Sequence, residues 1–335
     1  MKNTPKLNLR NLSQYGIVIF LVILSAYFTY RTNGLFLTPD NISNVSRQIA
    51  INTILAVGLT FVIITGGIDL SVGSVLALAG VISMTALRDG LRIGPAMLIP
   101  QLPMLFAIPV SALIAGGVGA GCGLFSGLSI TQFRMAPFVA TLAMMTIARG
   151  FAYVYTDGAP VSPLPPWAGD FGASEVNLGL LRVPTLVLVA LIVVAAGHVL
   201  ISRTNFGRYV YAIGGNEEAA RLSGISVSRV KLKVYALCGL LSGLSGMLLA
   251  TRLASGDPKS GMGFELNAIA AVVLGGTSLM GGRGTVIGTL LGALVIGVLD
   301  NGLILLDVSA FYQMVVKGFV ILAAVILDGV TRSHQ

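Results

Sequence analysis

Apolar runs alternate along this chain with short polar breaks, and a hydrocarbon layer roughly 30 Å thick needs about 20 residues of helix to cross it. Ten spans are predicted, near residues 15–30, 51–65, 72–87, 103–128, 137–153, 184–202, 230–251, 266–281, 284–303 and 309–328. The pattern predicts an all-α polytopic membrane protein, a single transmembrane domain over residues 1–335 whose helices are in places discontinuous or interrupted by glycine.

Small residues recur at helical spacing inside these runs: Ala115, Gly119, Gly123 and Gly127, then Gly284, Gly288 and Gly292, with Gly239 and Gly243 as a further pair. Such stripes let helix backbones approach closely. Residues 54–80 and 268–294 share a pattern of two apolar runs joined through a Gly-rich break, as internal repeats of transporters do.

Composition excludes more than it adds. Hydrophobic residues make up 55%, charged residues 10%, and mean hydropathy is +0.89, whereas a soluble chain carries about 25% charged residues. The net charge of +8 would suggest nucleic acid on a soluble face. Here the Lys and Arg residues cluster between apolar runs, the positive-inside pattern, so the expected partner is a lipid membrane and no nucleic acid. With Lys2, Lys6 and Arg10 in a cytoplasmic tail (residues 1–14), span counting puts residues 203–229, with Arg203, Arg208, Arg221 and Arg229, in the cytoplasm too. The Pro-rich, mostly acidic residues 154–183 fall outside, and Arg332 ends a cytoplasmic C-terminus. No small-residue cleavage motif follows the first apolar stretch, which reads as a retained span. Cys122 and Cys238 lie in apolar runs and read as small hydrophobes.

Few polar features remain. In GGIDLSVG, residues 66–73, either the break is a surface turn with Asp69 at the cytoplasmic face, or it is a discontinuous helix that brings Ile68, Asp69, Leu70 and Ser71 to the transport path. Asp69 alternatively caps the next helix. Arg149, near the outer end of its span, either lines a mouth for a polar ligand or anchors the helix at the interface. Lys317 needs a partner, Asp300 or Asp307, or must snorkel. His198 reads as a hydrogen-bonding group within the bundle.

The cytoplasmic run at residues 214–226 predicts one short helix. Asn216 is its N-cap, Glu217 and Glu218 fill the first turn, and Gly224 stops it. Ala219, Ala220, Leu222 and Ile225 form an apolar face with the charges of Arg208, Arg221 and Arg229 around it, the alternative being a solvated loop. A helix this short needs something to dock on. The chain has no G-x-x-x-x-G-K-[ST] loop for ATP, no H-E-x-x-H and no G-x-S-x-G, so it reads as a non-enzyme.

Four segments stand in order: GGIDLSVGS, APFVATLAMMTIARG (136–150), RTNFGRYVYAIGGNEEAARLSGI (203–225) and VVLGGTSLMGGRGTVIGTLLGALVIGVL (272–299). Through them the chain resembles, over nearly its whole length, the ribose-type monosaccharide permeases of bacterial ABC importers. The resemblance implies a subunit of the bacterial inner (cytoplasmic) membrane that translocates a monosaccharide, a ribose-like pentose. It implies as partners a second permease copy or paralogue, a periplasmic sugar-binding protein, and a cytoplasmic ATPase subunit with two nucleotide domains. ATP and Mg would bind that ATPase, with no cofactor or metal on this chain. Asn216, Glu217, Glu218, Ala219, Ala220, Arg221, Leu222, Ser223 and Gly224 match the family's ATPase-coupling helix. The alternative is an ion-coupled secondary sugar transporter, for which Asp69, Lys317 and His198 are the only ionisable candidates.

Overall fold

The computed structural model describes residues 9–93, 96–99, 104–177, 179 and 182–333, so residues 1–8 of the expected tail lie outside the described residues. The ten predicted spans correspond to α1 (Leu9–Arg31), α2 (Pro39–Ile64), α3 (Val72–Asp89), α4 (Met104–Gln132), α5 (Pro137–Thr156), α7 (Thr185–Arg203), α10 (Val227–Arg252), α11 (Phe264–Leu274), α12 (Val286–Leu305) and α13 (Ala310–Ser333). Between them stand α6 (Pro166–Ala173), α8 (Asn205–Gly215) and α9 (Glu217–Leu222). Two small antiparallel hairpins complete the order: β1 (Leu91–Ile93) with β2 (Ala96–Ile99), and β3 (Glu175–Asn177) with β4 (Arg182–Pro184). Among the described residues seven helices are long and apolar enough to cross a membrane, and α1, α11 and α13 contribute shorter apolar stretches.

Several boundaries differ from expectation. Helix α2 begins twelve residues before residue 51, with Pro39 in its first turn and Asp40 beside the positive end of the helix dipole. Its first turns look polar in sequence but are satisfied by distant residues. Asn41 and Asn301 exchange amide hydrogen bonds at 3.0 Å each way, Arg252 donates to Asn44 at 2.9 Å, and Arg47 pairs with Glu175 at 2.9 Å. The span expected over 266–281 stops at Leu274, because Gly276, Gly281, Gly282 and Gly284 all take positive φ. Residues 154–183, expected as a loop, hold α6 and the start of the β3–β4 hairpin, and residues 203–229 hold two helices where one is expected.

Helices α4 and α10 form the centre of the packing. A Cβ added at Gly119 would overlap the Gly239 carbonyl, one at Gly243 the Ala115 carbonyl, and one at Gly123 the Tyr235 carbonyl. In lipid there is little hydrophobic drive between helices, so this close backbone approach supplies the dispersion contact that holds them together. The second stripe works in the same way, with Gly288 against Gly275 and Gly292 against Ala271.

Two non-helical returns enter the bundle from opposite ends. After α2, residues 65–71 turn back as a strap, and Asp69 reaches the thiol of Cys238, the twelfth of the 26 residues of α10. After α10, residues 253–263 turn back in the other direction until Gly261 meets Gly73 in the first turn of α3. Helices α3 and α11 therefore both start inside the bundle. Irregular backbone at such depth is tolerated because protein surrounds it and satisfies it.

The α4–α10 contact makes a direct prediction. Replacing Gly239 by Leu should destabilise the fold by about 1–3 kcal/mol, as overpacking does, whereas Gly117→Leu, where nothing lies within 4 Å, should be silent. Thermal melts of the two purified variants against wild type check this.

Candidate functional site

The α8–α9 end gathers the features that have exposed, rigid and charged groups together. Thr204 caps α8, accepting from the Gly207 N–H at 3.3 Å, and the helix buries Val210 and Ile213. Phe206 stacks on Phe61 of α2 with ring centroids 6.1 Å apart. In the last turn of α8, Gly214 is pressed against the Ile64 carbonyl and Gly282, while the Gly282 N–H donates to Ile64 O at 2.9 Å. The Tyr211 hydroxyl donates to Gly284 O at 2.7 Å. The end of α8, the end of α2 and the turn at 281–284 are thus tied backbone to backbone.

Helix α9 continues from this tie. The Asn216 side chain accepts from the Ala219 N–H at 2.9 Å, Gly224 takes φ +83 to end the turn, and the Ile225 N–H donates back to Ala220 O at 3.1 Å. Ala220 is buried, whereas Leu222 is 79% exposed. Arg221 donates to Glu218 at 2.5 and 3.1 Å, and Lys231 of α10 donates to Glu217 at 2.6 Å. The Arg221 hydrogen bonds hold the Glu218 carboxyl below its ordinary range. The contribution of that pair is therefore present above the ordinary carboxylate range and is lost as pH falls through the lowered folded value. Ser223 donates to Ala219 O at 2.9 Å and tightens the last turn.

Asp69 is 1% exposed, so the surface-turn reading of residues 66–73 is corrected: the break lies inside the bundle. The carboxylate accepts from the Ser71 N–H at 2.9 Å and the Ser71 hydroxyl at 2.6 Å, with the Cys238 thiol beside it. It folds the strap rather than capping the first turn of α3, and Ser71, itself buried, makes no side-chain cap bond. Thr141 of α5 donates to Ile68 O at 3.2 Å and ties the strap to a third helix. Arg149, also on α5, donates to the carbonyls of Pro258 at 2.5 Å and Ser260 at 2.8 Å, so it clamps the other return. Asp69 and Ser71 are brought together; Arg149 stands apart from them on that second return.

Lys317 finds Asp300 at 3.0 Å. His198 differs from expectation: its Nδ1 is buried without a hydrogen-bond partner among the described residues. Lys231, Gly214 and Gly282 escape a reading of the sequence. The doublets Gly214-Gly215 and Gly281-Gly282 are the signal for the last two, since paired glycines mark places where backbones meet.

The comparisons with known proteins agree with this architecture. The family model described as branched-chain amino acid transport system / permease component matches residues 41–325. The ribose import permease protein RbsC of Bacillus subtilis (strain 168) is 49% identical over 317 residues, covering 93% of this chain and 90% of its own. RbsC of Haemophilus influenzae is 46% identical over 310 residues, 92% of this chain and 91% of its own. The xylose transport system permease protein XylH of Escherichia coli (strain K12) is 34% identical over 382 residues, 97% of this chain and 94% of its own. No solved structure matches. A bundle of apolar helices with a short capped helix at one end, matched over nine-tenths of its length by such relatives, is a transport subunit, and the chain belongs to the ribose-type permeases of ABC importers.

Proposed function

We propose that this permease moves an aldopentose of the ribose type across the bacterial inner membrane, driven by an ATPase subunit with two nucleotide domains that docks on α9 from the cytoplasm. ATP and Mg bind that ATPase, a periplasmic sugar-binding protein delivers the substrate, and a second permease copy or paralogue completes the path. The relatives' names support the substrate class, since they specify ribose and xylose.

One observation carries the docking assignment. Helix α9 has only six residues, yet Asn216 fixes its start, Gly224 its end and Lys231 its side, and it presents Leu222 outward. A free six-residue helix does not persist in water. One held this firmly, with an apolar residue facing out, suits a cleft on a partner. Its tie to the end of α2 gives a route by which rigid-body motion of the partner reaches the spans. On this reading Asp69, Ser71 and Arg149 act by positioning the two returns beside the path. An ion-coupled carrier is not favoured: the relatives are named as import and transport-system permeases, and of the ionisable candidates Lys317 is held by Asp300 and Asp69 by Ser71.

Two outcomes follow. Asn216→Ala should weaken α9 by about 1 kcal/mol, read as faster hydrogen exchange at the Ala219 amide with the α10 core unchanged. Glu218→Arg should cut ATPase stimulation by about tenfold, within the range of site-to-site coupling, while the complex still assembles. Adding Arg221→Glu should restore part of it. Normal stimulation in the single variant would contradict the docking assignment.

A further inference from the structure

Where α3 and α11 both start, the bundle has an open side. Gly261 meets Gly73 there, and the Glu265 carboxylate lies against Gly73 while accepting from the Gly263 N–H at 3.2 Å. Met262 is 68% and Leu266 52% exposed, and Glu265 between them is half-buried. Arg149 of α5 has the charges of Glu265 and Asp257 in its field, and Thr146, one turn earlier on α5, is exposed. From Glu265 to Gly275, where α11 ends, the helix rises about 15 Å, half of a hydrocarbon layer of about 30 Å. The stripe of Met262, Glu265 and Leu266 is thus at mid-depth.

An ionisable group at that depth is costly against lipid and faces the bundle interior, a water-filled path or a charged partner. Glu265 forms no ion pair among the described residues, whereas Lys317 on α13 is held by Asp300 at 3.0 Å. The exposed mid-span faces of three other outer helices are apolar: α1 shows Val22 and Ile23, α4 Leu113 and Leu124, and α7 Leu191 and Ile192. Those faces suit hydrocarbon. The Glu265 face does not.

No soluble partner reaches the middle of the membrane, so what covers this face is itself embedded. The patch also complements itself: Arg149 and Lys259 are positive, Asp257 and Glu265 negative, and Met262 and Leu266 apolar. A two-fold axis brings one patch onto the same patch of another subunit, which sets opposite signs and apolar side chains across from one another. We propose that this face of α5 and α11 is where a second copy of this chain packs, with Glu265 and Arg149 at the seam, and that α1, α4 and α7 face lipid. The assignment rests on the permease reading above, which calls for two membrane subunits.

The test places a nitroxide at one exposed position at a time, through Met262→Cys, Leu266→Cys, Val22→Cys, Leu113→Cys or Leu191→Cys. The permease–ATPase complex is held in lipid nanodiscs, and the unsubstituted chain serves as the blank for Cys122 and Cys238. Labels at 262 and 266 should give the two shortest distances to the same position of the second copy by double electron–electron resonance, and should be shielded from oxygen dissolved in the lipid. A shorter distance at any of the other three positions, oxygen access at 262 and 266 equal to theirs, or no distance between copies at all, overturns the proposal. If the same complex imports D-ribose with its binding protein and ATP while the labels give one of those results, the interface falls and the permease reading stands. If it also fails to import, both fall.

Discussion

Three chain segments meet through bare backbone at Gly214: the end of α8, the end of α2 at Ile64, and the turn at Gly281 and Gly282. No side chain lies between Gly214 and the Ile64 carbonyl. A junction of this kind is stiff, because packed backbone has no rotamers to absorb a displacement and the interior is close-packed. Helix α9 begins at Glu217, just beyond this junction. Any force on α9 therefore arrives at α2 and at residues 275–285, which join α11 to α12, with little loss.

Beyond the junction, the bundle is organised by its two returns. A chain that leaves helical geometry within a membrane must find partners for every freed N–H and C=O. Asp69 does this for the strap by folding onto Ser71, and Thr141 takes the Ile68 carbonyl. Arg149 does it for residues 257–260 by donating to two carbonyls. Thr141 and Arg149 are both on α5, so this one helix holds both returns. A shift of α5 would move the two at once, and a shift of α2 would pull on the strap alone. The polar side chains inside the bundle thus position backbone.

Much of this was legible in the sequence because hydropathy and capping are local. Ten apolar runs became ten helices, and the start and stop of α9 follow from Asn216 and Gly224 without knowledge of the rest. Features that depend on distant partners were hidden. The first turns of α2 read as polar because Asn41 and Arg47 are satisfied by Asn301 and Glu175, far along the chain. Residues 266–281 read as a full span because the glycines after Leu274, taken singly, look like packing residues; the positive φ of Gly276, Gly281 and Gly282 makes that segment a link instead. Helix α8 is not among the expected elements although Thr204 stands at its N-cap. The depth of Asp69 depends on α10, which a local pattern does not place.

The central claim is that α9 moves as one body with the end of α2 and the 281–284 turn. Spin labels at Leu222 and Met280, both exposed, read this directly in the assembled importer by double electron–electron resonance. The Leu222–Met280 distance within one permease should stay constant through ATP binding and hydrolysis, while the distance from Met280 to the matching position of the second permease subunit changes. A Leu222–Met280 distance that changes with nucleotide while the distance between the two subunits stays fixed would contradict this.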